Sequence, residues 1–68
     1  MEEATKKILE NIRRKRRENS ITLLDLALDT GISHSHLYYI ESQRVVPSID
    51  VVVKIARALN LSLKDLLA

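Results

Sequence analysis

Apolar residues in this 68-residue chain recur three and four positions apart from end to end, and nowhere do they alternate with period two over the length of a strand. That pattern alone removes sheets from consideration. Gly31 is the only glycine and Pro47 the only proline, which leaves little room for the turns a sheet needs. What remains is an all-α fold of short, tightly joined helices, each giving one apolar stripe to a shared core. At this length a single core is marginal, so every stripe must be used or a second subunit must cover the remainder. The expected organisation is one domain over residues 1–68.

Side-chain caps place the boundaries. A first helix is expected from about Ala4 to Glu18, with Ile8 and Ile12 on its buried face. It stops at Asn19-Ser20, where Asn19 tolerates the left-handed conformation that ends many helices. Thr22-Leu23-Leu24-Asp25 opens a second helix, Leu23–Thr30, as a capping box with Asp in the place usual for Glu. Gly31 ends it at the position where a tight helix–helix turn needs positive φ. Ser33 caps a third helix, whose core side is expected to carry Leu37, Ile40 and Ser33 itself. Gln43–Pro47 reads as loop, and Ser48 caps a fourth helix from Ile49 to about Leu59. Its Val51-Val52-Val53 run consists of mediocre helix formers that depend on packing. Asn60 closes that helix, and Ser62-Leu63-Lys64-Asp65 opens a short fifth.

Several function classes fall away. Without cysteine there are no disulfides and no thiolate metal ligands, which suits a reducing compartment. No apolar run is long enough to span a membrane, and Met1-Glu2-Glu3 lacks the basic-then-apolar order of a leader. A cytoplasmic protein without membrane contact is expected. His34 and His36 stand two apart, about 200° around a helix, too far to share a metal easily. There is no Gly-rich phosphate loop, no His–carboxylate pair at ligand spacing, and little room for a pocket. Neither an enzyme nor a cofactor is expected.

A net charge of +2 says little about partners; its distribution says more. Residues 1–18 carry seven Lys or Arg against four Glu, including the run Arg13-Arg14-Lys15-Arg16-Arg17. Such a run is commonly a solvated helix face, and grips phosphates only when the fold aims it at a duplex. The third helix is more specific. Opposite Leu37 and Ile40 lie Ser35, Tyr38, Tyr39 and Ser42, flanked by His34 and His36. These include both tyrosines of a chain that has no Phe or Trp. Aromatic bodies with polar tips suit an interface better than a merely solvated surface.

From Ile8 to Leu67 the order Ile-Arg, Thr-x-x-Asp-Leu-Ala, Gly-Ile-Ser, Leu-x-x-Ile-Glu, Pro-Ser-Ile, Lys-Ile-Ala-Arg-Ala-Leu, Leu-Ser-Leu-x-Asp-Leu-Leu resembles the phage repressor and Cro-like (XRE-type) helix-turn-helix family. The resemblance implies a compact five-helix repressor-like domain with its helix-turn-helix at the second and third helices. It further implies sequence-specific binding of double-stranded DNA through about Ser33–Ser42 in the major groove, and a transcriptional regulator acting as a repressor. By the same resemblance His34, Ser35 and Tyr39 touch bases, with His36 and Tyr38 beside them. Thr22, at a helix start whose free N–H groups suit an anion, joins Gln43 and Arg44 in holding phosphates, with Arg13 and Arg17 as further candidates. One departure stands out: Leu23 occupies a position where the family commonly has Gln, and cannot brace His34 by hydrogen bonding.

Arg16 extends the Ile8–Ile12 stripe and Glu41 follows Ile40 on the inward flank of the third helix. Half-buried charges need partners, and the family pairs its residues at these two places. An Arg16–Glu41 salt bridge is therefore expected, with Lys15 as the competing partner. Leu61, Leu63, Leu66 and Leu67 exceed what one face of a terminal helix can bury. With Leu66 closing the core, Leu63 and Leu67 become the expected contact of a homodimer. Leu24 and Leu28, four apart on the outer side of the second helix, sustain an alternative: an antitoxin-like module on the same fold that binds a partner protein through the second helix or the C-terminal one.

Overall fold

The computed structural model describes all residues, Met1–Ala68, as five helices without a strand: α1 (Glu3–Glu18), α2 (Leu23–Thr30), α3 (His34–Glu41), α4 (Ile49–Ala58) and α5 (Leu63–Leu67). Every helix feeds one core. Leu9 and Ile12 come from α1, Leu26 from α2, Leu37 and Ile40 from α3, Val52, Ile55 and Ala56 from α4, Leu59 from its end, and Leu66 from α5. The longest helix, α1, packs against both α3 and α5, while α2 packs against α3 and α4. Because α1 is covered from two sides, its buried stripe is wider than the expected Ile8–Ile12 line. Leu9 and Asn11 are buried with Ile12, and Ile8 is only half-buried at the margin. No helix is long and apolar enough to cross a membrane.

Helix starts follow the caps. Thr22 Oγ1 accepts from the Asp25 N–H while Asp25 Oδ2 accepts from the Thr22 N–H, and Ser62 and Asp65 repeat this reciprocal box at α5. Ser48 Oγ accepts from the Val51 N–H. Ser33 needs a correction. It is exposed rather than on the core side, because it sits before α3 in extended backbone (φ −62°, ψ 148°), where the helical angular step does not apply. Its Oγ is engaged by the His36 N–H.

Helix ends show how a chain with one glycine makes four turns. Only α2 ends on it: Gly31 has φ 74° and donates its N–H to the Ala27 carbonyl. The ends of α1, α3 and α4 put Ser20 (φ 55°), Gln43 (φ 62°) and Asn60 (φ 58°) in the left-handed region instead. Each is followed by a residue whose N–H reaches back into the last turn: Ile21 to Arg16, Arg44 to Tyr39 and Leu61 to Ala56. This double closure satisfies carbonyls that would otherwise be orphaned and folds the chain back onto the core. The left-handed residue after α1 is thus Ser20, not Asn19. Asn19 has φ −95° and spends its side chain on the Lys15 carbonyl.

Candidate nucleic-acid interface

With Leu37 and Ile40 fully buried, the remaining side of α3 is forced outward: His34, Ser35, His36, Tyr38, Tyr39 and Ser42 are all exposed. The tyrosine rings meet edge to face, with centroids 5.8 Å apart and planes at 66°. The Arg44 guanidinium carbon lies 6.0 Å from the Tyr38 centroid and 5.8 Å from that of Tyr39. Arg44 reaches them because Gln43 reverses the chain and the Arg44 N–H bonds the Tyr39 carbonyl at 2.9 Å. His34 makes no side-chain hydrogen bond, and Leu23, half-buried, offers it none.

Glu41 is the only acidic residue of α3, and it is withdrawn from the outer face. Its two oxygens accept from Arg16, Nε to Oε2 at 2.7 Å and Nη2 to Oε1 at 2.8 Å, while Arg16 Nη1 donates to the Ile21 carbonyl at 2.8 Å. The side chains are 11% and 7% exposed. A two-pronged pair of this kind is both strong and geometrically exacting. It fastens α3 to α1 and withdraws negative charge from the outer side of α3. Lys15 forms no ion pair with Glu41.

The arginine run is divided between the inside and the surface, where Arg13, Arg14 and Arg17 lie beside Glu10 and Glu18. Arg16 turns inward to Glu41, and Arg14 faces Glu18 at 3.8 Å. Arg13 and Arg17 border a cleft of about 190 Å³ together with the Arg16–Glu41 pair, Leu23 of α2, Tyr38 of α3 and Ser42 at its end. Helix 1 thereby adds cationic heads next to α3. At the start of α2 the N–H groups of Leu23 and Leu24 have no internal partner, although Asp25 places a carboxylate nearby.

A separate surface, to which α3 contributes no residue, is mostly apolar. Leu63 (71% exposed) and Leu67 (61%) share a groove of about 350 Å³ with Ile8, Ile49, Val53 and Leu61. The part played by Ile49 and Val53 was not anticipated from the sequence, though their spacing of four on α4 was the available signal. Asn11 was missed altogether. It is buried, and its Nδ2 donates to the carbonyls of Leu66 at 2.7 Å and Ala68 at 3.1 Å, tying α5 to α1. At the start of α5, hydrogen bonds from Ser62, its backbone N–H first and its side chain second, hold Asp65 below the usual carboxylate range against a small opposing effect of burial, with Lys15 and Lys64 assisting. On the outside of α2, Leu24 and Leu28 stand exposed.

Two short helices hinged at one glycine, with the second presenting an acid-free outer face, also match known sequences at the family level. The model of the helix-turn-helix family matches residues 12–66, from the middle of α1 into α5. No curated protein and no solved structure matches the chain. On the strength of that match and of the five-helix architecture, the chain belongs to the XRE-type helix-turn-helix family of DNA-binding transcription regulators.

Proposed function

We propose that this protein is a cytoplasmic transcriptional repressor that binds a specific double-stranded DNA site as a symmetric dimer, with α3 in the major groove. The observation that carries this reading is the outer face of α3: histidine, serine and tyrosine without an exposed acid, because Arg16 holds Glu41 inside. His34, Ser35 and Tyr39 read base edges, assisted by His36 and Tyr38. Thr22, Gln43, Arg44, Arg13 and Arg17 hold phosphates and set the register without reading sequence. One such helix covers few base pairs, too few to stand out against the competing sites of a genome. A two-fold dimer joined through Leu63 and Leu67 places two recognition helices about one helical turn apart, ~34 Å.

Selection of bound duplexes from a random pool tests this directly. The expected result is a two-fold symmetric motif, with two protomers per site by sedimentation. Replacing Ser35 and Tyr39 together with Ala should abolish the preference while leaving the fold intact, each good base contact being worth about 1–3 kcal/mol. Recovery of the same motif by the double variant removes these residues from recognition. An asymmetric motif with one protomer bound removes the dimer.

The exposed Leu24–Leu28 pair favours a second reading, an antitoxin-like module whose main partner is a protein. Binding to DNA that collapses with added salt yet keeps a sequence preference decides for the regulator.

A further inference from the structure

We infer that Tyr38, Tyr39 and Arg44 form one preassembled reading unit whose ligand is the C5-methyl group of thymine in the major groove, with Arg44 the positioning residue that holds the two rings. The inference rests on the proposed DNA-binding function and specifies the chemistry that α3 selects.

The rings are 48% and 42% exposed and face away from Leu37 and Ile40. They supply apolar area that the neighbouring Ser35 and His34 lack. Hydrogen-bonding groups dominate the base edges in the major groove; the prominent apolar group there is the thymine methyl. An exposed aromatic surface on a recognition helix is therefore matched to that group above any other feature of a base pair.

The unit is also fixed before binding. The edge-to-face contact at 5.8 Å and the guanidinium about 6 Å from both centroids limit how far either ring can turn. Less side-chain freedom is then lost when DNA docks. Arg44 is delivered to this place by the left-handed Gln43 and by its own N–H bond to Tyr39, and it has no carboxylate partner. A planar guanidinium can lie against rings with its face while its N–H edge still meets a phosphate. An ammonium group keeps the charge but has no flat face to lay against the two rings.

The test uses the duplex that the wild-type protein selects from a random pool, resynthesised with uracil in place of one thymine at a time. Removing a buried methyl should weaken binding about three- to fivefold at one or two thymines per half-site, and by less than twofold elsewhere. Tyr39→Ala should bind the thymine and uracil forms of a sensitive position equally. Arg44→Lys should keep the salt dependence of affinity, since its charge is retained, yet lose most of the thymine preference. Indifference to uracil at every thymine, or a selected site without thymine, overturns the inference while the DNA-binding reading stands. Full thymine preference in Arg44→Lys overturns the positioning role. Absence of any sequence preference in the wild-type protein brings down the underlying reading itself.

Discussion

The two ends of this molecule are each fastened to α1 by one buried polar side chain, and they are fastened differently. At one a charged fork, Arg16 with Glu41, holds α3; at the other a neutral amide, Asn11, holds the carbonyls of Leu66 in α5 and of Ala68 just beyond it. The outer faces differ in the same sense. That of α3 is polar and aromatic, whereas the α4–α5 groove is lined by Ile49, Val53, Leu63 and Leu67. A five-residue helix cannot sustain itself alone, so catching its open carbonyls is what α5 needs. The eight-residue α3 is also too short to stand alone, but what α1 gives it is a partner for its buried carboxylate. Asn11 and Arg16 are five residues apart on one continuous helix, about 7.5 Å along its axis. α1 therefore carries both fastenings on one rigid element.

Breaking the charged fastening should have the largest effect. Glu41→Ala leaves Arg16 nearly buried with only the Ile21 carbonyl, and should cost about 3 kcal/mol in denaturant unfolding. In an Arg16→Met background the same substitution should cost far less. A loss below the ~1 kcal/mol typical of surface pairs, or no coupling in the cycle, would reduce Arg16–Glu41 to an ordinary ion pair.

The neutral fastening should cost less and act locally. Asn11→Ala strips the Leu66 and Ala68 carbonyls of their donor, worth about 1–2 kcal/mol. Amide exchange should accelerate in α5 and hardly change in α3, and any self-association through the groove should weaken. Equal acceleration at both ends would mean that Asn11 supports the whole core and not one helix.

These two fastenings also mark where sequence reasoning reaches. Caps are local chemistry, so Thr22, Gly31, Ser33, Ser48 and Ser62 could be placed from a few neighbouring residues. Arg16 and Glu41 each continue an apolar stripe with a charge that must find a partner, and the family resemblance supplied the pairing where Lys15 could compete. Asn11 was not legible, since its acceptors are backbone carbonyls 55 and 57 residues away, which no side-chain pattern encodes. The Arg44–tyrosine cluster was hidden for a related reason. It depends on Gln43 adopting positive φ, a state that its residue type does not announce.

That strained residue offers the third prediction. A non-glycine residue in the left-handed region costs about 1 kcal/mol, and such strain tends to persist where a side chain is useful. Gln43→Gly should therefore raise stability by up to about 1 kcal/mol while weakening DNA binding, because a proposed phosphate contact is removed. A variant that gains stability and keeps full affinity would show that Gln43 contributes nothing to the recognition end beyond its backbone.

The smallest effect expected is the response of the two ends to acid. The box that starts α5 contains a carboxylate, Asp65, whereas the Ser33 cap of α3 meets only the His36 N–H and contains none. Because Ser62 lowers the pKa of Asp65 on folding, the stability it contributes is fully present above the ordinary aspartate range. It is lost as pH falls through the lowered value. Below that point the Ser62 N–H faces a neutral acceptor, and the start of α5 should loosen while the start of α3 keeps its hydroxyl cap. Amide exchange at Ser62 and Asp65, followed as pH falls from neutrality, should show the change, and Asp65→Asn should flatten it by removing the titration. An unchanged pH profile in Asp65→Asn would assign the acid response to another group and leave the two helix starts alike.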